Sequence, residues 1–393
     1  MGFDLDNEGN YEKNFLKIQK ENKHRANKNE NESGKDKNVT NPTNKNIETP
    51  NLINEKIEPR GLNNIGATCY MNSVLQCLYH IFDLSNSLLG LLNNKILTKE
   101  NYQKTPMISA FIEVVYMLSF EKKPMSPYVF KEIISKNQSF KNYEANDSKN
   151  LTLYVLDTMN KEFNDNKIQI KYADNPLRNY NEKEAESTIK FFNENYNSII
   201  GDLFNGLKVT DYICSTCKNS VKNYQLFNII NCSIEKTFLD KDEKTPIKDR
   251  ILQIDIMDCF KFEQKEKIFN GNNQIYCVKC NQSRDGISIN KIIFAPKILI
   301  LFLDRGYNNT FICDVLFPET LDINNYLEMK GKNYKLIGVI EHLGKSGETG
   351  HFIANCKHFD GNWYIFSDSS IYPTKNKYQK YGVPYLLFYR RED

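Results

Sequence analysis

The chain has 393 residues, of which 40% are hydrophobic and 26% charged, and its formal net charge is +3. A balance this close to neutral excludes the strong basic field of a nucleic-acid or membrane-surface binder, and no apolar run reaches the roughly 18 residues that cross a bilayer. Ten cysteines, without a signal-peptide pattern ahead of them, point to thiols and metal sites in a reducing compartment, cytoplasm or nucleus, rather than to a disulfide framework.

Residues 1–56 are dominated by Asn, Lys and Glu. Such a segment buries too little apolar surface to offset chain entropy and is expected to be a disordered tail, with Tyr11, Phe15, Leu16 and Ile18 as its one apolar cluster. Order is expected from about residue 57 to the end. Residues 61–82, GLNNIGATCYMNSVLQCLYHIF, begin as a tight Gly/Asn turn and continue as a helix apolar on most sides, which is the signature of a buried helix. Cys69 stands at the junction. There the free N–H groups and the positive end of the macrodipole favour a thiolate. A second helix is expected around Met107–Leu118, and a third beyond Asp147 or Ser148, either of which can cap it. Residues 164–190 are polar and read as an inserted loop. From about residue 200 the pattern changes to strands, at 207–213, 227–234, 291–303, 334–341, 351–357, 363–367 and 385–390, all rich in Ile, Val, Tyr and Phe. Helices first and strands later make an α+β fold.

Two Cys-x-x-Cys knuckles, Cys214/Cys217 and Cys277/Cys280, each lie beside strand-like sequence. Four thiolates suit a closed, tetrahedral, structural zinc site. The 60 positions between Cys217 and Cys277 require a β-rich excursion that brings the knuckles together. Cys232, Cys259, Cys313 and Cys356 read as core thiols.

Five histidines limit the choice of a catalytic base. His24 is in the tail, and His80 lies roughly 16 Å along the helix from Cys69. His358 precedes an Asp-Gly turn. His342 and His351 remain, at the end of one strand and the start of the next, with Gly350 allowing a substrate backbone to approach. A Cys–His pair needs a third group to orient the imidazole. Ser367 and Asp368 are the candidates, and strand alternation turns only one of them toward the histidine.

GLNNIGATCYMNSVLQ resembles the cysteine box of the ubiquitin-specific protease family, which are papain-like cysteine deubiquitinases. YKLIGVIEHLGKSGETGHF, WYIFSDSSI and YLLFYRR are similar to its histidine box. The two knuckles, LFNG at 203–206, FAPKILILFLDR at 294–305 and FPETLD at 317–322 follow in the family's order. The resemblance covers residues 57–393. It implies a thumb bearing Cys69, a palm bearing His351 and zinc-bearing, β-rich fingers at about 204–300 that grip ubiquitin. It implies hydrolysis of the isopeptide or peptide bond after ubiquitin's C-terminal glycine, with Cys69 as nucleophile, His351 as base and Asn64 as the oxyanion-hole side chain. Asp147, His342 and Gly350 would meet the substrate's tail. Two departures stand out. Ser367 occupies the position where many relatives have Asp or Asn, so either Ser367 or Asp368 orients His351. NDSKN at 146–150 keeps Asp147 but replaces a second acid with Asn150. The alternative reading is a weakly active or inactive ubiquitin-binding scaffold.

Overall fold

A computed structural model describes residues 52–93, 99–168, 175–241, 251–307, 310–344, 350–374 and 377–392. The expected tail, with its Tyr11–Ile18 cluster, lies outside these residues except for 52–56. Leu52 and Ile53 are buried, and both backbone N–H groups donate to Asn86 Oδ1. The packed chain therefore includes two apolar residues just ahead of the expected start.

The main elements, in chain order, are helices α1 (Cys69–Tyr79), α2 (Phe82–Asn93), α3 (Pro106–Phe120), α4 (Tyr128–Ile134), α5 (Ser148–Asp165) and α6 (Glu186–Asn195); strands β1 (Gly206–Cys214), β2 (Ser220–Phe227) and β3 (Ile229–Ser233); helices α7 (Ile234–Lys241) and α8 (Ile256–Glu263); and strands β4 (Ile275–Cys277), β5 (Gln282–Arg284), β6 (Gly286–Phe294), β7 (Ile298–Asp304), β8 (Tyr334–Leu343), β9 (His351–Lys357), β10 (Trp363–Ser367) and β11 (Val383–Arg391). They form two compact units. The first takes the described residues up to Ile168 with Asn197–Ile200 and Phe352–Gln379, and the second takes 175–196, Gly201–His351 and 380–392.

The first unit is built around α1, every residue of which is buried. It lies against α2, α3, α5 and β10. Pro106 opens α3 at a position where a missing N–H costs nothing. Of the two caps the sequence offers for α5, Asp147 takes the position, its Oδ1 accepting from the Asn150 N–H at 2.7 Å. Past Phe352, β9 pairs antiparallel with β10, and β10 with Ser370–Pro373.

The second unit is mostly sheet. β1 pairs antiparallel with β2 and with β6, which also pairs with Lys267–Phe269. A second sheet runs β8, β11, β7 and β3, with β3 and β7 parallel. β7 is buried from Ile298 to Leu303, and its unbroken apolar run reflects cover on both faces.

Three expectations change. The run 291–303 is two strands, because Pro296 supplies no N–H to a ladder and the chain leaves β6 at Phe294 to enter β7 at Ile298. The run 227–234 divides at Asn228 between β2 and β3, in different sheets. Residues 164–190 are not simply a polar loop, because Leu177, Ala185 and Ile189 are buried with Phe192, Leu207, Val209 and Ile293. Among the described residues no helix is long and apolar enough to cross a membrane.

Candidate active site

The turn before α1 is organised by Asn64. Its Oδ1 accepts from the N–H groups of Gly66 and Thr68, each at 3.2 Å, and from Thr68 Oγ1 at 3.1 Å. Thr68 Oγ1 in turn accepts from the Ile65 N–H at 3.1 Å. Three donors on its oxygen fix the amide plane, so Nδ2 has a set direction. Gly66 has φ 137° and a Cβ there would lie 2.9 Å from the Tyr143 ring, so conformation and space both call for glycine. The Ala67 N–H donates to the Tyr143 carbonyl at 3.0 Å, and this ties the turn to the segment ahead of α5.

Cys69 is the first residue of α1 and is 7% exposed. Burial pushes its thiol up, and the nearby Asp368 carboxylate adds to the rise. Hydrogen bonds from the backbone of Phe352, Tyr70 and Cys69 itself pull the other way. The net direction is upward. The helix terminus supplies the Tyr70 and Cys69 donors and β9 adds Phe352, but burial outweighs them, so burial opposes the thiolate that the sequence favours.

Asp368 follows β10 in a left-handed turn with φ 52°. Its Oδ2 accepts from Asn64 Nδ2 at 2.9 Å, and its Oδ1 accepts from Asn72 Nδ2 at 2.8 Å. Its carbonyl accepts from the Leu62 N–H at 3.0 Å. A Cβ on Gly61 would lie 2.5 Å from that carbonyl oxygen, so Gly61 allows the two segments to meet. Both carboxylate oxygens thus face the nucleophile loop and helix. Ser367 is the last residue of β10 and is half-buried. Asn72 was not singled out from the sequence. The signal was present, as a polar residue one turn beyond Cys69 on a buried helix.

His351 opens β9 and closes the second unit, and its chain neighbour Phe352 supplies the backbone hydrogen bond to Cys69. His342 is lowered from its ordinary value by burial and then by the charge of His351. A Cβ on Gly350 would lie 2.4 Å from His342 Nε2 and from the Leu343 carbonyl oxygen. Gly350 is therefore needed for packing against His342, a reason separate from substrate approach. Asp147 caps α5, and Asn150 is exposed.

The four knuckle cysteines converge in the second unit. Cys214 ends β1 and Cys277 ends β4, with Cys217 and Cys280 in the turns that follow. All four sulfurs lie within 4.8 Å of one another. Lys218 and Asn281, each just after the second cysteine of its knuckle, share a left-handed backbone, with φ of 57° and 53°. Two matching turns present an all-sulfur donor set of the kind that suits a tetrahedral ion. This cluster can bind a metal.

A family model described as ubiquitin carboxyl-terminal hydrolase matches residues 60–389. Ubiquitin carboxyl-terminal hydrolase 2 of Homo sapiens is 27% identical over 345 residues, covering 84% of this chain and 54% of the relative. Ubiquitin carboxyl-terminal hydrolase 8 of Saccharomyces cerevisiae is 26% identical over 362 residues, covering 84% and 70%. The chain spans about half the length of the first curated relatives it matches. Among solved structures, the SAGA Ubp8/Sgf11/Sus1/Sgf73 DUB module bound to ubiquitin aldehyde matches with a TM-score of 0.62 at 22% identity, over 85% of this chain and 70% of that one. At this identity the likeness shows a shared α+β fold. With a family model matching nearly the whole described chain, and a cysteine box and a histidine box in that family's order, the chain belongs to the ubiquitin carboxyl-terminal hydrolase family.

Proposed function

We propose that the chain is a thiol-dependent deubiquitinase that hydrolyses the isopeptide or peptide bond after the C-terminal glycine of ubiquitin. The observation that supports this most is the preorganised Asn64 amide in the turn leading to a helix-terminal cysteine. Its oxygen is held by three donors and one hydrogen goes to Asp368. An amide nitrogen has two hydrogens, and the second serves the oxyanion together with the Cys69 N–H. Donors placed where charge develops are typically worth about 2.7–4 kcal/mol in the transition state.

Because the Cys69 thiol is raised by burial, attack needs a base, and His351, next in the chain to Phe352, fills that role. As the proton passes to His351, sulfur bonds to the glycine carbonyl carbon and the carbonyl electron pair moves to oxygen. Collapse of the oxyanion expels the lysine amine, which His351 protonates. Water, deprotonated by His351, then hydrolyses the thioester and frees Cys69. Ser367 is the proposed orienter of His351. Asp147, His342 and Gly350 are proposed to meet the substrate's tail.

The catalytic domain is read as residues 57–393, with fingers at about 204–300. Zinc fits the Cys214, Cys217, Cys277 and Cys280 donor set. It would close the finger hairpins and leave no open position for chemistry. The described cysteines are free thiols, in keeping with cytoplasm or nucleus. Ubiquitin or ubiquitinated proteins are the partners of this reading.

The test is a covalent probe. Purified protein mixed with ubiquitin bearing a C-terminal electrophile should form an adduct that disappears in Cys69→Ala. A folded, metal-loaded protein that binds ubiquitin without forming the adduct would replace this reading with that of a ubiquitin-binding scaffold.

A further inference from the structure

We propose that Asn72 is a positioning residue that acts through Asp368, holding its carboxylate so that the carboxylate in turn holds Asn64. The proposal rests on the deubiquitinase reading. It concerns a side chain one helical turn past the nucleophile that takes no direct part in the chemistry.

Asn72 is 2% exposed on a helix whose every residue is buried. Its Nδ2 lies 2.8 Å from Asp368 Oδ1, 3.2 Å from the Asn63 carbonyl oxygen and 3.4 Å from the Leu62 carbonyl oxygen. One amide thus ties together the two segments that converge on Cys69, the turn containing Asn64 and the turn after β10. Its Oδ1 is buried without a hydrogen-bond partner among the described residues. A buried acceptor with no donor is destabilising, and an apolar side chain of similar size would remove that penalty. Helix stability therefore does not explain an Asn here, whereas the position of its donor does.

The geometry also sets the order of dependence. Asp368 uses one oxygen for Asn72 and the other for Asn64. Asn72 and Asn64 therefore touch through a single carboxylate, and a carboxylate held by two amides has little freedom to swing. Without Asn72 the carboxylate loses the donor on Oδ1 and is less restrained, which loosens its hold on the Asn64 amide. The oxyanion donor then has to be ordered during the reaction. Such a defect lowers kcat and spares substrate binding.

Asn72→Leu keeps the volume and removes the donor. On ubiquitin carrying a C-terminal fluorogenic amide, its kcat should fall about tenfold or more, with KM within about twofold. In an Asp368→Ala background the same substitution should cost almost nothing further, because the group it acts through is gone. Losses that multiply in the double variant, or a loss in KM with kcat kept, would overturn the proposal. A second readout needs no turnover. The pH midpoint for alkylation of Cys69 by iodoacetamide should drop in Asn72→Leu toward that of Asp368→Ala, because a released carboxylate no longer faces the thiol. An unchanged midpoint in a variant with wild-type melting temperature would refute the clamp. If the unaltered chain fails to turn over the ubiquitin probe, the deubiquitinase reading falls, and the alkylation profile still decides whether Asn72 holds Asp368.

Discussion

Ser367 and Asp368 are adjacent, yet the structure gives them different surroundings. Asp368 accepts from Asn64 on one carboxylate oxygen and from Asn72 on the other, and in the proposed mechanism its charge supports the oxyanion side of the site. Ser367, ending β10, is the orienter of His351 in the proposed mechanism, a role in which a hydroxyl gives a weaker hydrogen bond than a carboxylate. Asp368→Ala should therefore lower kcat on a ubiquitin substrate by about 10²-fold or more, the scale of losing an oxyanion donor, while Ser367→Ala should cost only about tenfold. Initial rates of the two variants decide it, and the reverse order would move Asp368 to the histidine. Much of this site was legible in the sequence, because Cys69 and Asn64 share one local turn whose Gly and Asn content announces its geometry. The Asn72–Asp368 contact was not. It joins residues 296 positions apart, and no local pattern encodes which carboxylate a buried amide will meet.

At the scale of elements, strands β9 and β10 lie where the sequence places them, whereas the short helices α6, α7 and α8 were missed, α6 beginning inside a stretch read as a loop and α7 and α8 falling in a stretch read for strands. A further feature of α1 was discarded from the sequence on distance alone. His80, at its C-terminus, sits in a buried chain of contacts. Nδ1 is 2.8 Å from the Gln76 carbonyl oxygen, Nε2 is 2.9 Å from His358 Nδ1, and His358 Nε2 is 2.7 Å from the Ile57 carbonyl oxygen. The pair fastens the entering chain to the helix that holds the nucleophile. Two neutral imidazoles have two N–H groups for these three contacts, so a third proton would complete the hydrogen bonding. Burial opposes that proton, as does repulsion from the other ring for His80 and from Arg60 for His358, while Asp360 favours it on both. Burial dominates, pushing His80 down to about 3 and His358 below its ordinary value. Folded pKa values below the unfolded ones mean that the unfolded chain binds more protons. The stability from this pair is thus fully present above about pH 6.5 and is lost as the pH falls toward 3. Melting temperature should decline between pH 7 and 5, and the decline should be shallower in His80→Leu. A melting temperature that rises on acidification would mean the pair takes up the third proton.

Across the whole molecule, the proposed nucleophile and the metal cluster occupy different units, while the proposed base, His351, belongs to the second. Cys69, Asn64, Asn72 and Asp368 lie in the first unit, and all four knuckle cysteines in the second. Closing the turn after β1 onto the turn after β4 links chain segments 60 positions apart, and the turn after β4 joins two strands too short to hold that geometry alone. β4 and β5 have three residues each, and Tyr276 and Val278 beside the cluster are 63% and 71% exposed. A small, half-exposed hairpin of this kind lacks the apolar burial to persist in water, so a metal supplies what the side chains cannot. Metal analysis should find about one zinc per chain. Removing it with a chelator, or replacing Cys280 with Ser, should lower the melting temperature and raise KM for the ubiquitin substrate. Alkylation of Cys69 by a small reagent should proceed at the unaltered rate, because the network around that thiol draws on first-unit residues. A metal-free protein with unchanged melting and KM would show that the hairpins stand without zinc. Equal losses in ubiquitin turnover and in small-reagent alkylation would instead show that the second unit's metal supports the nucleophile itself.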